Sequence, residues 1–260
     1  MFKTLLSVIG AYKLYEKWLW YQVKNGGKLE HIAIILDGNR RWASGKALDP
    51  WLGHEKGAKK VEDLIDWCQK LHVKSITLYA FSTENFVRPE NEVEEIMRIA
   101  EKEFRKILTD ERIHKNKVRV KVIGRINLLP ENLQKLILDV EKATQDYDQH
   151  FLNIAFAYGG RAEIVDAARK IAEKVHEGEI NPREVNEQLF EQYLYTSYMP
   201  KQEPDLIIRT SGEERLSGFL LWQSAYSELC FLDVYWPDFR LIDLLRAVRT
   251  FQKRKRRFGA

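Results

Sequence analysis

Short apolar runs alternate with stretches of helical spacing along most of the chain. The runs predict strands near residues 31–36, 75–81, 118–123, 151–158, 205–209 and 229–234. Apolar residues recur at helical spacing at Val61, Leu64, Ile65, Cys68 and Leu71, and again after Pro89. Asn181 followed by Pro182 predicts a further helix start. This alternation predicts a single α/β domain with a mainly parallel six-stranded sheet and helices on both faces.

The run at 118–123 differs from the others because its valines alternate with Arg119 and Lys121. A strand with one polar face is typical of a sheet edge, so we expect this strand near the edge.

Residues 1–28 precede the predicted domain, which spans 29–260. Phe2 to Val23 is rich in Leu, Ile, Trp and Tyr, but charges such as Lys13 and Glu16 interrupt it before it could cross a bilayer. No cleavage pattern of a signal peptide follows. The segment therefore predicts an amphipathic helix that either lies at a membrane surface or packs on the body.

An apolar strand stops abruptly at one acid near the start of the domain. Ile32 to Leu36 is followed by Asp37, then by Gly38 for the turn and Asn39 as the expected N-cap of a helix. The start of that helix, with Arg40 and Arg41, favours a phosphate or diphosphate. An acid beside a phosphate is best explained by a hard cation such as Mg²⁺ between them, although an acidic cap next to solvated arginines explains the same pattern.

Two more polar clusters follow predicted strands. Residues 82–88 (STENFVR) follow the second strand, and Arg209 to Ser217 follow the fifth. Parallel strands end at a common edge, so both clusters should face Asp37. Arginine forks match phosphate oxygens, whereas the alternative for 82–88 is a capping loop in which Ser82 and Asn85 satisfy the backbone.

His54 and Glu228 are ambiguous when each is taken alone. His54, which we place at the start of a helix, either donates to a phosphate or serves as a cap or surface residue. Glu228 lies in an apolar stretch, where a carboxylate must be paired, protonated or metal-bound. A structural ion pair with an arginine is the simplest explanation of Glu228.

Composition narrows the class of protein. The net charge of +4 is concentrated in Lys253–Arg257, which argues against a nucleic-acid partner. The two cysteines, Cys68 and Cys230, match no metal spacing and fit a reducing cytoplasm. The chain has no GxxxxGK[ST] loop, no GxGxxG after its first strand and no DDxxD pair, which excludes the corresponding nucleotide, dinucleotide and helical prenyl-synthase sites.

Six segments together resemble the cis-prenyltransferase family, whose best-known member is undecaprenyl diphosphate synthase. They are HIAIILDGNRRWA, GHEKGA, TLYAFSTENFVRP, LNIAFAYGGRAEI, PDLIIRTSGEERLSGFLLWQSAYSEL and the terminal RRFG. The resemblance spans residues 29–259 in order, and its details are closer to archaeal and eukaryotic members than to bacterial ones. It implies an apolar substrate tunnel and repeated cis addition of isopentenyl diphosphate to an allylic primer, such as farnesyl or geranylgeranyl diphosphate, to give a long polyprenyl diphosphate for a glycosyl carrier lipid.

The resemblance also implies roles for individual residues. Asp37 and Asn85 would be catalytic, and Asp37 and Glu228 would hold Mg²⁺. The primer would be held by Gly38, Asn39, Arg40, Arg41, Trp42 and His54; the junction of the substrates would be lined by Ser82, Thr83, Glu84, Phe86 and Arg88; isopentenyl diphosphate would be held by Arg209, Arg215, Leu216 and Ser217.

The family pattern further implies a homodimer in which Arg257 and Gly259 complete the partner's isopentenyl diphosphate site. The expected enzyme is cytoplasmic with possible peripheral contact to a membrane. Pro50 stands where many members carry Arg, and Glu214 stands where bacterial members often carry His. A non-catalytic partner subunit of the same fold and a basic-tailed nucleic-acid binder are the rival hypotheses.

Overall fold

A computed structural model describes residues 10–254 of the 260-residue chain. Its strands form one six-stranded sheet in the order β3-β4-β2-β1-β5-β6, and every neighbouring pair is parallel. The strands are β1 (His31–Ile35), β2 (Ser75–Ser82), β3 (Val118–Ile123), β4 (His150–Tyr158), β5 (Leu206–Arg209) and β6 (Glu228–Phe231). The predicted parallel sheet is confirmed, and β3 lies at an edge as its polar face indicated.

The last strand is shorter than predicted. After Phe231 the chain leaves the sheet and crosses the ends of β1 and β5. There the carbonyl of Val234 accepts a hydrogen bond from the Ser211 amide at 2.7 Å, and the Trp236 amide donates to the carbonyl of Asp37 at 3.0 Å. The apolar residues beyond Phe231 therefore fasten two loops together instead of extending β6.

The helices between the strands follow the predicted alternation. They are α1 (Ala11–Lys24), α2 (Asn39–Ser44), α3 (Pro50–Lys70), α4 (Glu90–Thr109), α5 (Glu111–Lys115), α6 (Glu131–Thr144), α7 (Gly160–His176), α8 (Glu187–Glu191) and α9 (Leu241–Lys253). The predicted helix start at Asn181 was wrong. Asn181 caps only a 3₁₀ turn, and Asn186 caps α8 five residues later.

Side chains of β1 alternate between two apolar layers, as the period of a strand requires. Ile32 and Ile34 point into the larger layer, whereas Ala33 and Ile35 point into the smaller one. The larger layer contains buried residues of α3, α4, α6 and α9, and the smaller one is completed by Phe219 and Leu220 of an irregular segment. Burial on both faces explains why β1 is almost uninterrupted in its hydrophobicity.

Helix α1 packs on the body. Leu19 and Val23 are buried in the larger layer, and the Gln252 side chain of α9 donates to the carbonyl of Val23 at 3.0 Å. The opposite side of α1 leaves Leu14, Trp18 and Tyr21 exposed. Within residues 10–254, no helix combines the length and apolar character needed to cross a membrane.

Candidate active site

The predicted site residues gather at the edge of the sheet where β1, β2 and β5 end. Asp37 follows β1, the 82–88 segment follows β2, and Arg209 is the last residue of β5, paired in register with Ile35. The common direction of parallel strands accounts for this meeting.

Asp37 and Arg209 form the centre of the site. Arg209 Nη2 lies 2.8 Å from Asp37 Oδ2, and the Arg209 side chain is 6% exposed. The guanidinium also donates to the Ser217 hydroxyl at 2.8 Å and to the carbonyl of Arg215. Burial alone would raise the pKa of Asp37, but hydrogen bonds from Arg209 and Ser211 and the nearby arginine charges outweigh it and lower that pKa.

Arg41 extends this cluster toward the surface. Its guanidinium donates to the Ser211 hydroxyl at 2.6 Å and lies 3.5 Å from Asp37 Oδ2. Glu213 bridges Arg41 at 3.1 Å and Arg215 at 2.5 Å. Arg41 therefore belongs with Arg209 and Arg215, although the sequence grouped it with Arg40.

The loop after β5 holds two serines in a strained backbone conformation. Ser211 and Ser217 have φ values of 83° and 50°, in the left-handed region that side chains rarely adopt. Both hydroxyls receive hydrogen bonds from the arginines of the site. Strain of this kind is concentrated at functional sites, where surrounding contacts maintain it.

The turn between β1 and α2 depends on Gly38. Its φ is 100°, and a Cβ at this position would lie 2.6 Å from the Tyr235 ring. Gly38 is itself the N-cap of α2, so the assignment of Asn39 as N-cap was wrong. Asn39 is the first helical residue, and its side-chain Nδ2 donates back to the carbonyl of Leu36 at 3.1 Å.

A second cluster surrounds the buried carboxylate of Glu92 on α4. Glu92 lies 3.1 Å from Arg88 Nη1, 3.5 Å from Arg40 Nε and 3.5 Å from His54 Nε2. Three predicted site residues from separate elements thus share one acid that is 5% exposed.

His54 lies one turn inside its helix, because α3 begins at Pro50. Its expected position at the helix start was therefore wrong. Burial, reinforced by the charge of Arg88, lowers the pKa of His54 to about 4 despite the opposing effect of Glu92. The imidazole is neutral near pH 7.

The 82–88 segment folds as a cap. The Ser82 amide donates to Asn85 Oδ1 at 3.0 Å, which completes a capping box at the start of a 3₁₀ turn. Phe86 packs edge-on against Phe81 at 4.9 Å between ring centroids. Thr83 donates to Glu84 at 3.2 Å, and Thr83 lies against Gly159 of the neighbouring strand end. The capping alternative is observed, and the catalytic role of Asn85 stays a prediction.

An apolar cavity of about 170 Å³ opens beside these clusters. Leu36, Asn39, His54 and Trp236 line its near end, and apolar side chains of α3, α4 and the sheet line the rest. Asn39 Oδ1 is buried there without a hydrogen-bond partner, and His54 Nε2 has Glu92 3.5 Å away. Trp42 Nε1 is also buried without one, and Lys46 lies 3.9 Å above the Trp42 ring. An apolar cavity is thus present beside the site, and its use as a substrate tunnel stays a prediction.

Leu216 lies apart from the charged groups, since its side chain packs against the smaller apolar layer. Arg257 and Gly259 lie outside the described residues.

Glu228 is not brought to Asp37 within one chain. Glu228 is the first residue of β6. It pairs with Leu206 of β5, which in turn pairs with Ile32 near the amino end of β1, whereas Asp37 follows the carboxyl end of β1. That separation is about 16 Å along the strands and about 10 Å across them. Glu228 instead pairs with Arg254 at 2.5 Å. The predicted sharing of one metal ion by Asp37 and Glu228 is therefore wrong for a single chain, and the simpler ion-pair explanation is observed.

The side chains at the sheet edge fit Mg²⁺ only if water and substrate phosphates supply most of its ligands. Residues 10–254 contain no cluster of three or more His, Cys, Asp or Glu side chains able to hold a metal. Mg²⁺ characteristically uses one or two carboxylates and takes its remaining ligands from water and substrate phosphates. Asp37, a carboxylate at 2.8 Å from Arg209 and 3.5 Å from Arg41, fits such an ion if a phosphate supplies the other ligands.

Three functional residues were not among the predicted site residues. Glu92 joins Arg40, His54 and Arg88, Glu213 joins Arg41 and Arg215, and the Tyr235 ring lies 5.7 Å from the Arg41 guanidinium. Glu92 left a signal, since it falls on the apolar face of α4 with Ile96 and Ile99, where an acid needs a partner. The sequence pattern gave no signal for Glu213 or Tyr235, because only the folded loops bring these two residues to Arg41.

Arginines, small hydroxyls and their paired acids at the end of a parallel sheet, beside an apolar cavity, suit a diphosphate attached to a hydrocarbon. Residues 35–259 match the family model of undecaprenyl diphosphate synthases. The chain belongs to this family, the cis-prenyltransferases.

Curated relatives agree with this assignment. The chain is 53% identical to a geranylgeranyl-diphosphate-specific tritrans,polycis-undecaprenyl-diphosphate synthase of Methanopyrus kandleri, over 98% of this chain and 93% of the relative. It is also 53% identical to the corresponding Methanocaldococcus jannaschii enzyme, over 99% and 92%.

Solved structures share the fold. Lavandulyl diphosphate synthase from Lavandula x intermedia, in complex with dimethylallyl diphosphate, is similar with a TM-score of 0.86 and 38% identity over 89% of this chain and 98% of that one. A probable undecaprenyl diphosphate synthase from Campylobacter jejuni is similar with a TM-score of 0.73 and 31% identity over 90% and 100%.

The lowered pKa of His54 predicts a pH dependence of stability. The unfolded chain binds a proton at His54 near pH 6.5, whereas the native protein does so only near pH 4, so native stability falls as pH falls through this window. One such group contributes up to about 1.4 kcal/mol per pH unit to the free energy of unfolding. Denaturant unfolding of the wild type and His54→Gln at pH 7, 6 and 5 should show a flatter pH dependence in the variant, and parallel dependences would contradict the assignment.

Proposed function

We propose that this protein elongates an allylic diphosphate primer by repeated cis addition of isopentenyl diphosphate, with Mg²⁺, to a long polyprenyl diphosphate that serves as precursor of a glycosyl carrier lipid. The observation that carries the proposal is the apolar cavity beside Asp37 and the arginine clusters. The names of the M. kandleri and M. jannaschii relatives support geranylgeranyl diphosphate as the primer.

Two charged clusters suit two diphosphates. The Glu92 cluster presents Arg40, Arg88 and neutral His54 close to the cavity mouth, where the primer's diphosphate would lie with its hydrocarbon inside. The Asp37 cluster presents Arg41, Arg209 and Arg215, which suits isopentenyl diphosphate, with Ser217 supporting Arg209. Arg41 would lie between the two substrates, because it contacts Asp37 and the loop after β5.

Preorganised charge is the main contribution of these residues to catalysis. As the primer's diphosphate leaves, negative charge grows on its oxygens, and arginines already held in place stabilise that charge without reorganising. Mg²⁺ bound at Asp37 would act as a Lewis acid on the diphosphate oxygens. The isopentenyl double bond then attacks the allylic carbon, and a proton leaves the new chain. Asn85, next to the junction, is proposed to assist catalysis beyond its capping role.

The decisive experiment is a product assay with its catalytic control. Wild-type protein supplied with geranylgeranyl diphosphate, labelled isopentenyl diphosphate and Mg²⁺ should yield polyprenyl diphosphates detectable by mass spectrometry. Asp37→Asn should lower turnover by about 10²–10³-fold, because it removes a charge from the reacting site. The amide keeps the shape of the side chain and can still accept from Arg209, and thermal unfolding checks that the variant is folded although Arg209 loses its counter-charge.

Near-native turnover of Asp37→Asn in Mg²⁺ buffer would contradict the role of Asp37. Absence of any elongated product from the wild type with geranylgeranyl and farnesyl diphosphate would contradict the proposed reaction.

The proposed homodimer places the C-terminal Arg257 and Gly259 in the site of the partner. Arg254 contacts Glu228 at the amino end of β6, which is the end of the sheet opposite to Asp37. A chain of three residues, from Arg254 to Arg257, can reach at most about 10 Å. This is less than the distance of about 16 Å along the strands between the Glu228 end of the sheet and Asp37. This distance supports action in trans over action in the same chain.

Mixing two defective proteins tests this arrangement. Asp37→Asn and a protein lacking residues 255–260 should each be nearly inactive as homodimers. After co-refolding and random pairing, action in trans gives each heterodimer one intact site, so about a quarter of all sites recover. Recovery near that fraction is expected, whereas no recovery from heterodimers shown to form would contradict the shared site.

Peripheral contact with a membrane is supported by the exposed side of α1. Leu14, Trp18 and Tyr21 are exposed by 68%, 43% and 67% at helical spacing. Arg249 of α9 lies 4.6 Å from the Trp18 ring, so a cation accompanies the aromatic stripe. Aromatic residues with adjacent cations are typical of helices that lie at an anionic bilayer surface.

Vesicle binding tests this contact. Leu14→Ala with Trp18→Ala should weaken binding to anionic phospholipid vesicles at least about tenfold, since two exposed apolar side chains no longer enter the bilayer. The matched control, Leu138→Ala with Val165→Ala, removes exposed apolar side chains of α6 and α7 and should bind like the wild type. Equal binding of all three proteins in a flotation assay would contradict the contact.

A further inference from the structure

Tyr79 of β2 and Arg209 of β5 extend from the same face of the sheet. Both are in register with Ile35 of β1, which lies between them, and register partners in a parallel sheet carry their side chains to one face. Tyr79 is 8% exposed and packs in the smaller apolar layer. Two strand spacings, about 10 Å, separate the backbones of Tyr79 and Arg209, so a further residue is needed to connect their side chains.

Ser217 makes that connection. Its carbonyl accepts a hydrogen bond from the Tyr79 hydroxyl at 3.2 Å, and its own hydroxyl accepts one from Arg209 Nη1 at 2.8 Å. Tyr79 is therefore tied to the Arg209 guanidinium through a single residue. Burial, together with the charge of Glu84, raises the pKa of Tyr79, so its phenol is protonated at neutral pH and serves as the donor.

The backbone at this connection is strained. Ser217, Gly218 and Leu220 have φ values of 50°, 79° and 45°, in the left-handed region that side chains rarely adopt. Ser217 is also exposed, so packing does little to hold it. Strain of this kind persists only where surrounding contacts maintain it. We call residues 217–220 the Ser217 turn.

Three contacts hold the Ser217 turn against the body. The Tyr79 hydroxyl bonds the carbonyl of Ser217. The amide of Gly160, at the start of α7, donates to the next carbonyl, that of Gly218, at 2.8 Å. The Phe219 ring stacks on the Tyr79 ring at 4.7 Å between centroids. Tyr79 thus supplies two of these contacts, and its hydroxyl is the group that acts on Ser217 itself.

Loss of the Tyr79 hydroxyl should disturb the binding of one substrate. Ser217 could then relax toward the negative φ values that residues other than glycine prefer, which carries its hydroxyl away from Arg209. The guanidinium fork would be less firmly oriented toward a phosphate. Under the proposed function, isopentenyl diphosphate keeps its diphosphate throughout the reaction, so the fork contributes to binding and not to the chemical step.

We propose that Tyr79 is a positioning residue for isopentenyl diphosphate, whose hydroxyl keeps the Ser217 turn in the conformation that orients Arg209. Tyr79 acts through Ser217. This inference rests on the proposed elongation reaction, in which the Asp37 cluster binds isopentenyl diphosphate.

Tyr79→Phe is the direct test, because it removes the hydroxyl and keeps the ring that stacks on Phe219. With geranylgeranyl diphosphate, labelled isopentenyl diphosphate and Mg²⁺, the KM for isopentenyl diphosphate should rise about fivefold, the effect of losing one hydrogen bond. The KM for the primer and kcat should change less than about twofold. A residue needed only for packing would not separate the two substrates in this way.

The matched control is Tyr198→Phe. Tyr198 packs against the same apolar layer, and its hydroxyl donates to the buried side chain of Asn153. Asn153 is in register with Thr77, two residues nearer the amino end of β2 than Tyr79. This variant loses a hydroxyl of the same kind away from the Ser217 turn, so both KM values should equal those of the wild type. Thermal unfolding of each variant checks that folded proteins are compared.

A double-mutant cycle with Ser217→Ala tests the route of the effect. Ser217→Ala leaves no hydroxyl to orient, so adding Tyr79→Phe should raise the KM for isopentenyl diphosphate by less than about twofold, against about fivefold in the wild-type background. Full additivity of the two substitutions would overturn the connection through Ser217.

An unchanged KM for isopentenyl diphosphate in Tyr79→Phe, or an equal rise in the KM for the primer, would overturn the positioning role while leaving the elongation reaction in place. A wild type that produces no polyprenyl diphosphate would overturn the proposed function and this role with it.

Discussion

The ion pair between Asp37 and Arg209 is the contact on which the rest of the site depends. It joins the ends of two neighbouring strands, and its arginine is almost fully buried. A second connection lies beside it. The Thr210 hydroxyl accepts a hydrogen bond from the backbone amide of Asp37 at 3.0 Å and donates one to the carbonyl of Asp37 at 2.7 Å. The loops after β1 and β5 are therefore fixed relative to each other before any ligand arrives.

That arrangement has a chemical consequence. A buried arginine without an acid would carry uncompensated charge, which is strongly unfavourable. Asp37 pairs with Arg209, Glu213 pairs with Arg41 and Arg215, and Glu92 pairs with Arg40 and Arg88, so three carboxylates leave a positive excess among five arginines. Under the proposed function, a diphosphate entering the site would replace carboxylates as the partner of these arginines and would meet donors that already point at an anion. The freed Asp37 carboxylate would then be available to hold Mg²⁺.

Much of the fold and the centre of the site could be predicted from the sequence. Asp37 and Arg209 follow apolar runs, and parallel strands carry such residues to one edge. The same rule places Glu228 away from Asp37. Glu228 is the first residue of β6, before its apolar residues, and therefore lies at the amino end of the parallel strands, opposite to Asp37. The partners of Glu92 could not be located in this way, since Arg40 and His54 come from helices whose relative rotation is fixed only by packing.

The charges at the sheet edge differ in how firmly they are held. Arg209 and Glu92 are buried and paired, so they are precisely placed and costly to move. The side chains of Arg40, Arg41 and Arg215 are 52%, 44% and 64% exposed, so water solvates them and their rearrangement costs little. The site therefore combines a rigid centre with a rim that can adjust to a ligand.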